Sequence, residues 1–348
     1  MFTYNIKFET RKIDGVYQFK INFPSFEGLQ FVSMYLLRID GSHVLIDAGL
    51  SFPDCEQLFF TELAKLKISP KDLQYLIITH EHPDHIGLAK AIKLKNPDIL
   101  ILTHEITKKL MKSMMNTDNL VQIQKSTELS SSDLIRYGVN KKKVKKVLQY
   151  MNMFSSFTEY YEPDRILQDN DEIVVDSDKL KIIWTPGHSI GHICVFDEMK
   201  KFLFSGDHIL SRITPHIGAF LSNPITDKEY EFTNILDLYL RSLDRIDQLN
   251  PKIIFPAHQE IIYNPHERIL AIKKHHANRL SEIAKTIENE PKTPFKISQL
   301  HFGENLSEIN TFLALSEVLS HLIYLEHQNK VERIEKNEKI YFKIKRNS

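Results

Sequence analysis

The stretch LQYLIITHEHPDHIGLAKAIKLK, residues 73–95, decides how the rest of the chain is read. It opens on an apolar run, Leu76-Ile77-Ile78, of the kind found in a strand buried on both faces. That run passes without a spacer into Thr79-His80-Glu81-His82-Pro83-Asp84-His85, and helical spacing follows from about Pro83 to Lys95. Pro83 suits a first helical position, and Asp84 suits the first turn, where a carboxylate meets the positive end of the helix dipole. His80, His82, Asp84 and His85 crowd into six positions of a loop that cannot splay. Imidazole nitrogens and a carboxylate held this close are ligand types for zinc, iron or manganese.

Upstream, the apolar runs 31–39 and 43–49 flank Asp40-Gly41 and read as a hairpin, and 53–67 has helical spacing. Downstream, 98–103 reads as a strand. Strands alternating with helices indicate an α/β layer structure. Between about 105 and 160 the pattern changes to apolar residues every three or four positions, as in a helical insert. Strands resume at 173–175, 180–185, 193–196 and 202–205, followed by a helix around 227–247, a strand at 252–255 and a helix at 265–289. Pro291 and Pro294 mark a boundary. Beyond it, 296–302 and 306–328 read as helices and 330–345 as a hairpin with its tip at Asn337. The expected organisation is a domain over 1–290, with the insert at about 105–160, and a winged-helix-like module over 291–348.

Three later features share the placement of the first, each at the end of an apolar run: TPGHSIGH (185–192), FSGDH (204–208) and FPAH (255–258). Pro-Gly and Gly-Asp steps let a short side chain project from a strand's carboxyl end, where active sites of layered α/β folds gather. The candidates they add are His188, Asp207 and His258.

Taken together, Asp47 in IDAG, His80, His82, Asp84, His85, His188, Asp207 and His258 resemble the five-motif pattern of the metallo-β-lactamase fold, in order, over roughly residues 30–260. The resemblance implies an αββα sandwich with a binuclear metal site at one edge. By position, His80, His82 and His188 would bind one metal ion. Asp84, His85 and His258 would bind a second, Asp207 would bridge both, and Asp47 would orient its neighbours. The implied cofactors are two divalent ions, zinc by default, with iron or manganese as alternatives. The implied chemistry is hydrolysis by a metal-bridging hydroxide, with Asp84 orienting it and carrying a proton to the leaving group.

Asp207 narrows the branch. The β-lactamases of this superfamily place Cys or Ser there, whereas a bridging Asp is typical of the glyoxalase II, lactonase and RNase-like branches, so antibiotic hydrolysis is not expected. An ester, thioester or lactone is the expected substrate. A phosphodiesterase or ribonuclease of the same fold is the alternative. So is a mononuclear-iron persulfide dioxygenase, for which His80, His188 and Asp207 would suffice.

Composition sets outer bounds. The 348 residues carry 45 Lys+Arg against 45 Asp+Glu, which argues against bulk attraction to nucleic acid or anionic membrane. Cys55 and Cys194 form no CxxC pair, and the N-terminus lacks the apolar core of a signal peptide, so a cytoplasmic setting is expected. The non-enzyme alternative is a metal-sensing or nucleic-acid-binding regulator. Against it, residues 291–348 hold nine Lys/Arg and seven Asp/Glu, and 313–328 contains Glu317 and Glu326 but no Lys or Arg. The expected partner is a small-molecule substrate, with no membrane, nucleic acid not favoured and a homodimer open. His192 and His208 sit one step beyond the ligand motifs, as supports behind the ligands, as substrate-facing residues or as turn and packing residues, and Arg212 and His216, which follow Asp207, are candidates to line the cleft. Met111, Met114, Met115, Met151 and Met153 either cover an apolar substrate group or pack the insert.

Overall fold

A computed structural model of the chain describes residues 6–26, 29–39, 41–52, 54–115, 131–154, 161–175, 178–218 and 234–346. A seven-stranded sheet follows chain order: β1 (Lys7–Ile13), β2 (Val16–Phe26), β3 (Leu29–Ile39), β4 (Ser42–Ile46), β5 (Leu73–Ile77), β6 (Leu100–His104) and β7 (Arg165–Leu167). Strands β1 to β4 pair antiparallel, and β4 to β7 pair parallel. Parallel neighbours need crossovers. These contain α1 (Cys55–Lys65), then α2 (Pro83–Ile86) with α3 (Ala89–Lys95), then a segment opened by α4 (Glu105–Met115). The second sheet has the order β12-β11-β10-β9-β8, from β8 (Glu172–Val175), β9 (Asp178–Trp184), β10 (Ile193–Asp197), β11 (Phe202–Gly206) and β12 (Ile253–Pro256). Its β11–β12 pair is parallel.

Strand periodicity explains why the central runs are apolar throughout. Alternate residues of β3, β4 and β5 serve two cores. Met34, Leu36, Leu45 and Leu76 pack with Phe59 and Leu63 of α1, Ile92 of α3 and Met111 of α4. Tyr35, Leu37, Val44, Ile46 and Ile77 instead meet Leu180, Ile182, Val195, Phe204 and Phe255 of the second sheet.

Two features depart from the sequence expectation. The helix read from Pro83 to Lys95 is broken at Gly87-Leu88. There Gly87 N donates to Gly49 O at 2.8 Å and Leu88 N to Ala48 O at 3.0 Å, so the loop after β4 takes two amides from the helix path. A Cβ at Gly87 would lie 2.4 Å from Ser51 N, which is why glycine stands at this close approach. Strands β1, β2 and β7 also had no clear signature. The β1–β2 turn is nonetheless made by Asp14 and Gly15, both at positive φ, as a tight hairpin requires.

The chain forms two compact units. The first takes in Met1–Met115, Ser155–Pro215 and Asp244–Ile269, and contains both sheets. The second takes in Asn116–Phe154, His216–Leu243 and Leu270–Ser348. Its helices include α5 (residues 131–136), α6 (Lys141–Phe154), α9 (Pro294–Phe302) and α10 (Glu308–His327), with a hairpin of β13 (Val331–Lys336) and β14 (Lys339–Ile344) turning at Asn337-Glu338. Two further helices, α7 (Ile235–Leu249) and α8 (Pro265–Thr286), contribute residues to both units. The second unit has its own core, in which Leu134, Val144 and Val147 meet Ile283, Leu315, Val318, Leu322 and Phe342.

Met111 is a packing residue, 2% exposed in the first core. The side chains of Met114, Met115, Met151 and Met153 lie outside the described residues. No helix of the described residues is long and apolar enough to cross a membrane.

Candidate metal centre

The candidate residues come together in the first unit, at the carboxyl ends of strands from both sheets. Asp47 follows β4, the His80–His85 loop follows β5, His188 follows β9, Asp207 follows β11 and His258 follows β12. Their donor atoms form two groups, His80, His82, His188 and Asp207, and Asp84, His85 and His258, each within the span a single metal ion could bridge.

Asp47 organises the centre from behind. It is buried, and its Oδ1 accepts from Thr79 N at 2.8 Å. Its Oδ2 accepts from Thr79 Oγ1 at 2.9 Å and faces His85 Nδ1 at 2.8 Å. A carboxylate can only accept, so Nδ1 of His85 carries the proton and a neutral ring turns the Nε2 lone pair inward. His258 is set the same way, because its Nδ1 lies 2.6 Å from the carbonyl of Phe31. Thr79 spends its hydroxyl proton on Asp47, so it accepts from His80 Nδ1 at 3.0 Å, and His80 also presents Nε2.

What the lone pairs meet tests whether a cation belongs here. Nε2 of His85 lies 3.6 Å and Nε2 of His258 3.4 Å from Asp207 Oδ1. The same nitrogens lie 3.8 and 3.2 Å from Asp84 Oδ2. Neither nitrogen, nor Asp207 Oδ1, makes a hydrogen bond, although all three are buried. In the other group His82 Nδ1 lies 3.0 Å from Nε2 of both His80 and His188, and His188 Nε2 lies 3.4 Å from Asp207 Oδ2. Two buried imidazole nitrogens converging on a buried carboxylate oxygen without a hydrogen bond form a place that positive charge, as protons or as a metal ion, would satisfy. The donor set therefore fits divalent cations.

Ionisation of the bare cluster points the same way. Burial opposes charge on His258, but the carboxylates of Asp207 and Asp84 outweigh it and push the ring up to about 10. His85 is likewise raised well above its ordinary value, with burial overcome by Asp47, Asp84 and Asp207. His80 and His82 go the other way, held neutral by burial, with the neighbouring charge of His85 adding to it. Asp84 and Asp207 stay ionised, because His85 and His258 beside them outweigh the cost of burial. Protons on the second group thus do in the bare protein what a metal ion does when bound.

Other side chains near the motifs take supporting places. His192 and His208 are fully buried, so neither lines an open cleft. Arg212 is exposed and paired with Glu260 at 3.2 Å. His216 sits in the second unit, its Nε2 3.0 Å from both Leu313 O and Ser316 Oγ on α10, so it is a seat for the chain on that helix.

Sequence reasoning missed two sets of supports. Glu81 turns away from the metal ligands that flank it and accepts from Ser189 Oγ at 2.7 Å, tying the loop of His82 to the loop of His188. Gln18, Ser33 and Tyr35 form a buried polar network across the sheets: Tyr35 Oη donates to Pro256 O at 2.6 Å, and Ser33 N to Ala257 O at 2.7 Å. This network holds the segment that ends in His258.

Two facing sheets with such a centre at their strand ends describe a metal-dependent hydrolase. The chain belongs to the metallo-beta-lactamase superfamily: residues 28–258 match that family, and residues 280–344 match the metallo-beta-lactamase-like C-terminal domain. The probable metallo-hydrolase YqjP of Bacillus subtilis is 25% identical over 90% of this chain and 93% of its own length. The acyl-coenzyme A thioesterase MBLAC2 of Homo sapiens is 26% identical over 59% of this chain and 71% of its own length. A metallo-beta-lactamase family protein from Thermus thermophilus shares the fold with a TM-score of 0.74 at 24% identity, covering 95% of this chain and 99% of that one. A beta-lactamase domain protein from Burkholderia ambifaria superposes with a TM-score of 0.79 at 21% identity, over 97% and 94% of the two chains.

Proposed function

We propose that this metallo-hydrolase cleaves a carbonyl ester of a small molecule, with a thioester as the leading substrate class and zinc as the working ion. The observation that carries the reading is the convergence of the buried Nε2 atoms of His85 and His258 on Asp207 Oδ1, none of them hydrogen-bonded. His80, His82 and His188 would hold one ion, Asp84, His85 and His258 the other, and Asp207 would touch both. When bound, two such ions bring the ionisation of water into the neutral range and polarise a scissile carbonyl.

The chain's own residues supply orientation and proton handling. Asp47 and the Phe31 carbonyl fix the tautomers of His85 and His258, so their donor atoms need no rearrangement. Asp84 keeps 20% of its side-chain surface exposed and holds Oδ2 3.2 Å from His258, so it reaches both solvent and the centre. That position suits a carboxylate which accepts a proton from the attacking water and returns it to the leaving group. The thioester assignment draws support from MBLAC2, a relative named for acyl-coenzyme A hydrolysis. Cys55 and Cys194 are both free and buried, in keeping with a reducing, cytoplasmic setting.

The test compares initial rates of the zinc-loaded protein on an acyl-coenzyme A thioester and on a phosphodiester, with Asp84→Ala as the control. Thioester turnover that falls about 100-fold or more in the variant is expected. Turnover of the phosphodiester alone would contradict the substrate assignment.

A further inference from the structure

Asp207 would have to aim one carboxylate at two donor groups, yet its backbone leaves a regular ladder just before it. The β11–β12 register shifts between Phe204 and Gly206, and Gly206 lies at φ +48°. Its peptide is pinned from two sides. Ala257 N donates to Gly206 O at 3.0 Å, and Asp207 N donates to His192 Nε2 at 3.1 Å.

His192 is oriented for that contact. It is completely buried. Because its Nε2 accepts from a backbone amide, its proton sits on Nδ1 and is donated to Thr185 Oγ1 at 2.9 Å. The ring packs against His80 with centroids 5.0 Å apart. It also fills the space beside Gly206, where a Cβ would come within 2.7 Å of Nε2. One loop, 185–192, therefore supplies both His188 and the acceptor that fixes the peptide of Asp207.

We propose that His192 is a positioning residue: the hydrogen bond it accepts from Asp207 N sets the direction of the carboxylate shared by the two donor groups. This rests on the metal-centre reading above, and its effect is on metal affinity. Side chains that orient metal ligands change affinity by about 10- to 100-fold when removed.

The test titrates metal-free full-length protein with zinc against a chromophoric chelator, for wild type, His192→Leu, His192→Gln and Thr185→Val. Leu removes the acceptor, and at least one zinc equivalent is expected to weaken by about 10- to 100-fold. Gln keeps an oxygen near the Nε2 position and is expected to stay within about threefold of wild type. That rescue separates positioning from loss of packing, since both substitutions alter the packing. Should His192→Leu fail to fold, Thr185→Val decides. It leaves Asp207 and His192 in place, removes the acceptor on Nδ1, and is expected to weaken the same equivalent by more than about threefold. Wild-type affinity in the Leu or Val variant, or a Gln variant as weak as Leu, overturns the proposal. Fewer than two zinc equivalents on wild-type protein overturns the metal-centre reading itself.

Discussion

His85 and His258 have opposite requirements in the two states of the centre. In the bare protein both rings are held protonated, His85 by Asp47, Asp84 and Asp207 and His258 by Asp207 and Asp84, with His258 raised to about 10. A metal ion needs the unprotonated Nε2 of each, so uptake at neutral pH displaces protons, about one per ring. Apparent metal affinity should therefore rise with pH across the neutral range. Calorimetric zinc titrations in buffers of different ionisation enthalpy check this, and heats that are the same in every buffer would contradict it. At this scale the ligands themselves were legible, because imidazoles and carboxylates at strand ends have a recognisable spacing. Their supports were not. Tyr35 reads as one more apolar residue of a strand, and nothing local indicates that its hydroxyl reaches the carbonyl of Pro256, 221 positions away.

Among the elements, the short helices after the His80–His85 loop are the place where local propensity and tertiary structure disagree. Gly87 stands in a helical sequence where Ala would be the better helix former by about 1 kcal/mol. A Cβ there would meet the backbone of Ser51 at 2.4 Å and of Gly49 at 2.5 Å, and backbone cannot swing aside. Gly87→Ala should accordingly destabilise the fold, by about 1–3 kcal/mol, as overpacking does. Denaturant unfolding measures this, and a variant as stable as wild type would mean the loop after Asp47 does not lean on the helix. The alternation of Leu36 and Leu37, or Leu45 and Ile46, shows why strands were easy to find but their partners were not. Each apolar run announces burial on two faces, yet only the folded chain shows that Leu45 meets the helical layer and Ile46 the other sheet. The apolar spacing of 131–154 likewise predicted helices. It could not show that Leu134 and Val147 share a core with Leu315 and Phe342.

For the molecule as a whole, the second unit carries a pH dependence of its own. Burial, with the charges of His275 and Arg279 nearby, lowers His276 to about 3, and burial also depresses its neighbour His321, whose Nε2 is 3.1 Å from His276 Nδ1. Both rings are neutral when folded, while the unfolded chain takes up protons below the ordinary value of 6.5. Stability contributed by this pair is therefore complete above pH 6.5 and is lost as pH falls, at about 1.4 kcal/mol per pH unit for His276 alone until its folded value is reached. Unfolding midpoints between pH 7 and 5 test the slope, and His276→Gln should flatten it. The family of the fold was legible in one motif with one companion before it and three after, whereas the second unit, drawn from three separate segments, depends on contacts that no stretch of sequence announces. The central claim is that Asp207 and the six residues around it hold two divalent ions on which hydrolysis depends. Counting zinc per chain by mass spectrometry while following thioester hydrolysis through stripping and reloading tests it most directly. Two equivalents, with activity lost on stripping and restored on reloading, are expected. Full activity in the stripped protein, or a chain that takes up no zinc, would contradict the account.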